Sequence, residues 1–200
     1  MEDIHDLTEK GIKTLFTASA EDNSNRVEMR IIYPGDELFS PLFDLFTSLF
    51  PPIERNSYEG LLGYYQKADD VYQYQTIAFV EDDQVVGGCY LNVFKDIKTC
   101  IVEFLFVDAG HRRKGYATKM VQFARSIHSG FTFVIEVEKN GLTAQKFWQK
   151  MGFSDVDYNY MQPPINEGGV QFDGLKLMSD GHIRDVGDLL ENHYWKYSFV

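Results

Sequence analysis

Thr99–Ser129, TCIVEFLFVDAGHRRKGYATKMVQFARSIHS, decides how the rest of the chain is read. Its first part is apolar from Ile101 to Val107 except at Glu103, which reads as a strand covered on both faces. Its second part, His111-Arg112-Arg113-Lys114-Gly115-Tyr116-Ala117, crowds cations and one glycine into a turn. Its third part places Ala117, Met120, Val121, Ala124 and Ile127 on one face of a helix that Gly130 closes. The basic turn therefore opens a helix, where unpaired N–H groups and the helix dipole favour an anion. Gly115 leaves room for a phosphate against the backbone, and the small Ala117 keeps the next approach open. Charge and one glycine alone would equally describe a solvated basic turn.

Glu103 is the second feature that asks for a chemical reason. With regular alternation, Ile101, Glu103, Leu105 and Val107 share one face of the strand and Val102, Phe104 and Phe106 the other. Under helices, Glu103 is a buried carboxylate, costly unless partnered and raised in pKa. It is a candidate general base. The alternatives are an ion pair with a lysine or arginine, or a place at a solvent-facing edge.

Working outward, residues 27–33 (VEMRIIY) read as a strand and residues 38–49 and 57–67 as two helices. Residues 75–81, 85–94 and 99–108 are three strands joined by short polar turns, an antiparallel meander. Gly87-Gly88 in the middle strand points to a bulge or a close backbone approach. Beyond the helix, residues 131–137 (FTFVIEV) are a strand, and the crossover makes it a parallel neighbour of 99–108. A helix to Lys150, strands over 153–161 and 171–178, and a helix over 182–194 complete the order. The fold class is thus mixed α/β: a central, mostly antiparallel mixed sheet with helices on both faces. Residues 1–26 are read as an N-terminal appendage, 27–180 as the domain, and 181–200 as a C-terminal helix packed on it or at an interface.

Composition narrows the function classes. A net charge of -11 argues against a nucleic-acid partner and suits either a cationic small molecule or plain solubility. No run of eighteen apolar residues occurs, so no membrane span is expected. The acidic start MEDIHDLTEK does not read as a secretory leader, and two cysteines, Cys89 and Cys100, suit reduced thiols. A cytoplasmic location is the expectation. His5, His111, His128, His182 and His193 have no metal-ligand spacing, so no metal is expected. Neither GxxxxGK[ST] nor GxGxxG is present, which argues against an NTPase or a dinucleotide enzyme.

Two stretches resemble a known family. Arg112-x-x-Gly115-x-Ala117 is similar to the acyl-CoA pyrophosphate loop, Q/R-x-x-G-x-G/A, of the GNAT superfamily of N-acetyltransferases. Asn140-x-x-x-Ala144-x-x-Phe147-Trp148-x-x-x-Gly152-Phe153 is similar to the family's later motif. The resemblance implies that strands 99–108 and 131–137 splay apart at their C-terminal ends. It implies acetyl-CoA as cosubstrate, its arm on the backbone of Leu105, Phe106 and Val107 and its pyrophosphate on Arg112, Arg113, Lys114, Gly115, Tyr116 and Ala117. Asn140 and Phe147 lie near the cofactor by the same resemblance, although Asn140 could simply cap its helix. The acceptor would be a primary amine of a small molecule or peptide, with Glu103 as base and a pocket built from residues 38–67 and 161–172. One departure matters: Trp148 stands where the family has a tyrosine thought to protonate the leaving thiolate. Tyr158 is a candidate substitute, with Tyr160 and Tyr90 as alternatives. The rival readings are a non-catalytic acyl-CoA sensor and a transferase for a longer acyl group, and a dimer is compatible with either.

Overall fold

A computed structural model describes residues 26–164 and 171–198. Residues 1–25 of the expected appendage, and 165–170 of the expected acceptor loop, lie outside the described residues. The described chain forms β1 (Val27–Ile32), α1 (Phe39–Leu49), α2 (Tyr58–Gln66), β2 (Tyr72–Glu81), β3 (Gln84–Phe94) and β4 (Thr99–Val107). It continues through α3 (Tyr116–Ile127), β5 (Thr132–Glu138), α4 (Leu142–Lys150), β6 (Ser154–Asp155) and β7 (Leu175–Ser179). A C-terminal helix follows in three pieces, Val186–Asp188, a π-type stretch Leu189–Tyr194, and Trp195–Ser198.

Among the described residues the seven strands are ordered β1-β2-β3-β4-β5-β7-β6. Every pairing is antiparallel except β4 with β5. That parallel pair holds only from Thr99↔Thr132 to Val102↔Ile135, after which the strands part. Helices cover both faces. Leu42 and Phe46 of α1, Tyr64 of α2 and Leu190 and Tyr194 of the C-terminal helix pack with Tyr72, Tyr74 and Tyr90 on one face. Val121 and Ala124 of α3 and Trp148 of α4 pack with Val102, Phe133 and Ile135 on the other.

Local chemistry explains the helix ends. Ser57 caps α2, its hydroxyl accepting from the Gly60 N–H at 3.0 Å. Pro51 and Pro52 follow α1 directly and cannot extend it. Asp185 caps the C-terminal helix by accepting from the Asp188 N–H at 3.0 Å, so that helix starts at Val186, not at 182.

Two expectations are corrected. The alternation drawn for β4 fails because Tyr90 pairs with Phe104 and Leu91 with Val102, leaving Glu103 as an extra residue. This β-bulge turns Glu103 and Phe104 to the same side. Phe104 and Phe106 pack with α1, Glu103 reaches Tyr74 in that same layer, and Leu105 turns toward α3. The strand expected over 153–161 shrinks to Ser154–Asp155. There the Tyr158 N–H bonds to the Val156 carbonyl at 2.9 Å and the Tyr160 N–H to the Tyr158 carbonyl at 2.8 Å. These tight turns coil the chain off the sheet and bury Tyr160.

Gly87 marks the close approach that its sequence suggested. A Cβ there would lie 2.7 Å from the Phe106 carbonyl oxygen. That atom is backbone and cannot swing aside, so Gly87→Ala must push β3 from β4. Urea unfolding is expected to show a loss of about 1–3 kcal/mol; a loss below about 0.5 kcal/mol would mean that the sheet relaxes freely at this point.

Candidate active site

The parting of β4 and β5 opens a groove that the neighbouring elements line. It holds about 630 Å³. Leu105, Phe106 and Val107 form its strand wall, and Arg112, Arg113, Gly115, Tyr116 and Ala117 its polar end. Phe147 and Trp148 of α4, Leu49 of α1 and Phe50 just after it close the sides. Gly115 is the N-cap of α3 at φ 81°, with no side-chain cap. Arg113 also takes a left-handed φ, 65°. The first-turn N–H groups of α3 therefore face a basic groove without a capping side chain, a setting that suits a phosphate. Two residues expected here are elsewhere. Lys114 turns away, its Nζ 3.1 Å from Glu81. Asn140 is exposed and offers its carbonyl to the Leu142 N–H at 3.0 Å, while Gly141 is the N-cap of α4.

Glu81 holds the basic turn in shape. It is only 6% exposed, at the end of β2. It accepts the Tyr116 hydroxyl and Lys114 Nζ, and His111 Nε2 lies 3.2 Å away. His111 Nδ1 lies 2.7 Å from Asp108, and this bond holds the Asp108 carboxyl below its usual range. Three residues of the turn are thus tied to one carboxylate on a neighbouring strand. In the sequence, Glu81 is only an acidic residue before a turn.

Glu103 lies at the point where the strands part. It accepts from the Tyr74 hydroxyl at 2.7 Å, Asn56 Nδ2 at 3.2 Å and Asn92 Nδ2 at 3.4 Å. Asn92 is held in turn by the Tyr72 hydroxyl at 2.7 Å. Burial pushes Glu103 up to about 7, against the lowering effect of these three donors.

A second carboxylate was missed by sequence reading. Val102↔Ile135 is the last parallel pair, so Glu136 is the next residue on β5 as Glu103 is on β4. Glu136 accepts from the Tyr160 hydroxyl, from Gln162 Nε2 at 3.3 Å and from the Tyr194 hydroxyl at 3.3 Å. Burial, and then the charge of Glu103, push it up to about 8. Among the described residues, neither glutamate forms an ion pair with a lysine, arginine or histidine. The signal was present: FTFVIEV, like IVEFLFV, carries one glutamate in an apolar strand.

The profile of the Acetyltransferase (GNAT) family matches residues 39–153, more than half of the chain. The chain belongs to that family. No curated protein sequence matches it significantly. Among solved structures it is similar to a GNAT-family protein from Bacteroides thetaiotaomicron, at 22% identity and TM-score 0.68, over 82% of this chain and 92% of that one. It is similar to a GNAT acetyltransferase from Elizabethkingia anophelis with acetyl-CoA bound, at 15% identity and TM-score 0.53, over 76% and 96%. It is also similar to the PaiA N-acetyltransferase of Thermoplasma acidophilum in complex with coenzyme A, at 14% identity and TM-score 0.55, over 77% and 99%. At these identities the likeness speaks for the GNAT fold.

In this GNAT chain, Trp148 is 8% exposed and forms groove wall, packed on Phe147 and Phe153. Tyr158 is 38% exposed, whereas Tyr160, two residues on, is buried against Glu136. Cys89 and Cys100 are both free and buried, and burial pushes both thiols up. Among the described residues no group of His, Cys, Asp and Glu is placed to hold a metal, and no helix is long and apolar enough to cross a membrane.

The two raised glutamates set the pH dependence of stability. Both bind protons more tightly folded (about 7 and about 8) than an unfolded glutamate does, at about 4.3. Between those limits the native state holds more protons, so stability falls as pH rises. Tm is expected to drop from pH 5 to pH 8.5, and Glu136→Gln is expected to flatten the drop. An unchanged slope in the variant would mean that Glu136 is already ionised at pH 5.

Proposed function

We propose that this chain is an N-acetyltransferase that moves the acetyl group of acetyl-CoA to a primary amine, with Glu103 as general base. The observation that carries this reading is Glu103 itself: a carboxylate without a cation, held by three neutral donors where the strands part, two residues from groove-lining Leu105. The groove fits the cosubstrate in kind, with an uncapped helix N-terminus and two arginines at one end and an apolar wall at the other. When bound, acetyl-CoA supplies a thioester carbonyl.

The protein's own task is to free the amine. A lysine-like amine has a pKa of about 10, so most of it is ammonium at neutral pH and cannot attack. Glu103, raised to about 7, takes one proton from the ammonium, directly or through a water. Tyr74, Asn56 and Asn92 fix the carboxylate while it does so. In this reading backbone N–H groups of Leu105–Val107, the segment that lines the groove, receive the charge that grows on the carbonyl oxygen. The C–N bond forms as the C–S bond breaks; the sulfur leaves as a thiolate, and the second amine proton passes to solvent, from which the thiolate is protonated. Coenzyme A departs tolerably as a thiolate, so the reaction runs without a side-chain acid at Trp148, whose indole N–H is a donor only. Tyr158, exposed as it is, remains the side chain proposed for that proton if one is used.

Trp148 favours a second reading, an acyl-CoA sensor without turnover. Thiol release with a panel of amines separates the two. Glu103→Gln is expected to lower kcat about 10²–10⁴-fold with little change in acetyl-CoA affinity, and full activity in this variant would remove Glu103 as base. Tight acetyl-CoA binding with no turnover on any amine favours the sensor. Gly115→Val, strained at φ 81°, is expected to weaken acetyl-CoA binding about 10-fold; unchanged affinity would place the pyrophosphate elsewhere.

A further inference from the structure

We infer that Glu136 determines which acceptors are used: with Glu103 it forms a two-carboxylate receptor for a compact alkylammonium that carries no carboxylate of its own. The inference rests on the acetyltransferase reading and names the acceptor class for that site.

The placement carries the argument. Glu103 and Glu136 are the first residues of β4 and β5 beyond the last parallel pair, where the sheet opens. The bulge puts Glu103 on the α1–α2 side of the sheet. Glu136 reaches the same layer, because its partner Tyr194 packs with Tyr64 and Tyr74 there. Had β4 kept its regular alternation through residues 103–106, the two glutamates and the Phe104–Phe106 pair could not all share that side.

What faces the pair is neutral. Tyr74 comes from β2, Asn92 from β3 and Asn56 from the segment before α2. Tyr160 and Gln162 come from the chain after β6, and Tyr194 from the C-terminal helix. Tyr64 of α2 stacks on Tyr74 at 4.8 Å. These groups can orient two carboxylates but cannot neutralise them. The two side chains stand at adjacent strand ends in one layer with no cation, so burial and mutual repulsion favour retention of a proton by the free pair at neutral pH. An ammonium is the group that completes it. It offers three N–H donors and a charge, and the tyrosine rings suit the alkyl or aromatic part beside it.

The proton account balances. The acceptor enters as R–NH₃⁺ and displaces the retained proton to solvent, leaving both glutamates ionised. Glu103 then takes one proton from the nitrogen, and the pair again holds one, with Glu136 ionised. The amide product is neutral, so the contact that held the acceptor is lost when the C–N bond forms. An amino acid brings its own carboxylate into the same space and is repelled by Glu136. A decarboxylated amine of the same side chain is not.

Paired acceptors test this: alkyl- and arylalkylamines against the amino acids that differ from them only by the α-carboxylate. Wild type is expected to favour the amines by at least about 100-fold in kcat/KM. Glu136→Gln is expected to raise KM for the amines about 10- to 100-fold, more than it lowers kcat, and to narrow their advantage. Glu103→Gln loses kcat instead. Should the Glu136 variant fold poorly, calorimetry on the wild-type protein with coenzyme A and an alkylamine, in two buffers of different ionisation enthalpy at pH 7.5, is expected to report proton release on binding. Amino acids used as well as their amines, an unchanged KM in a folded Glu136→Gln, or binding without proton release would each overturn the inference while leaving the acetyltransferase reading intact. No turnover of any amine would overturn both.

Discussion

The structure depends on the parting of two parallel strands. β4 and β5 pair over four residues and then separate, and the separation has to be held open by something other than strand hydrogen bonds. On one side α3 and α4 wedge apolar residues against the sheet, with Val121, Ala124 and Trp148 among them. On the other, a bulge at Glu103 twists β4 and turns Phe104 and Phe106 into the rings of α1. Beyond Val102 the β5-facing edge of β4 loses its partner and lies along the groove, while the other edge stays paired with β3 to Val107. A helix N-terminus that lacks a side-chain cap stands at the end of that groove. The uncapped helix end, the groove-lining segment Leu105–Val107 and Glu103 thereby follow one another back along α3's entry turn and β4.

Two electrostatic arrangements support this frame, and they differ in kind. At the basic turn, Glu81 meets Lys114, His111 and Tyr116, so a buried carboxylate is compensated within the protein and the turn is fixed. At the strand opening, Glu103 and Glu136 meet only neutral donors. The first is a structural contact that leaves the arginines of the turn, not its lysine, on the groove. The second is a local conflict kept in place by tyrosines and amides, relieved by a proton in the free protein. Conflicts of this sort destabilise, and they persist where a ligand resolves them.

Much of this was legible in the sequence. The apolar strand, the cationic turn and the amphipathic helix of residues 99–129 specify β4, α3 and the groove end almost to the residue. Glu103 stands out because one carboxylate among six apolar residues has no packing reason. Its direction does not, since the bulge comes from the register with β3 and no residue in β4 announces it. Glu136 carried the same signal as Glu103, but its meaning depends on the parallel register that sets the two side by side. The chain after β6 reads as a continuation of the strand to residue 161, and Tyr160 instead takes a buried place against Glu136. Lys114 illustrates a different limit: its charge fitted the phosphate site, but its partner lies thirty-three residues away on β2.

The central claim is that the opening of the sheet holds two glutamates whose carboxyls keep a proton near neutral pH. Carbon-13 NMR of the glutamate side-chain carboxyls, titrated from pH 4 to pH 9 and assigned with Glu103→Gln and Glu136→Gln, measures this directly. The account predicts two coupled resonances with midpoints near 7 and 8 in the free protein. It would be contradicted if both resonances finished titrating with the exposed glutamates, near about pH 4.3.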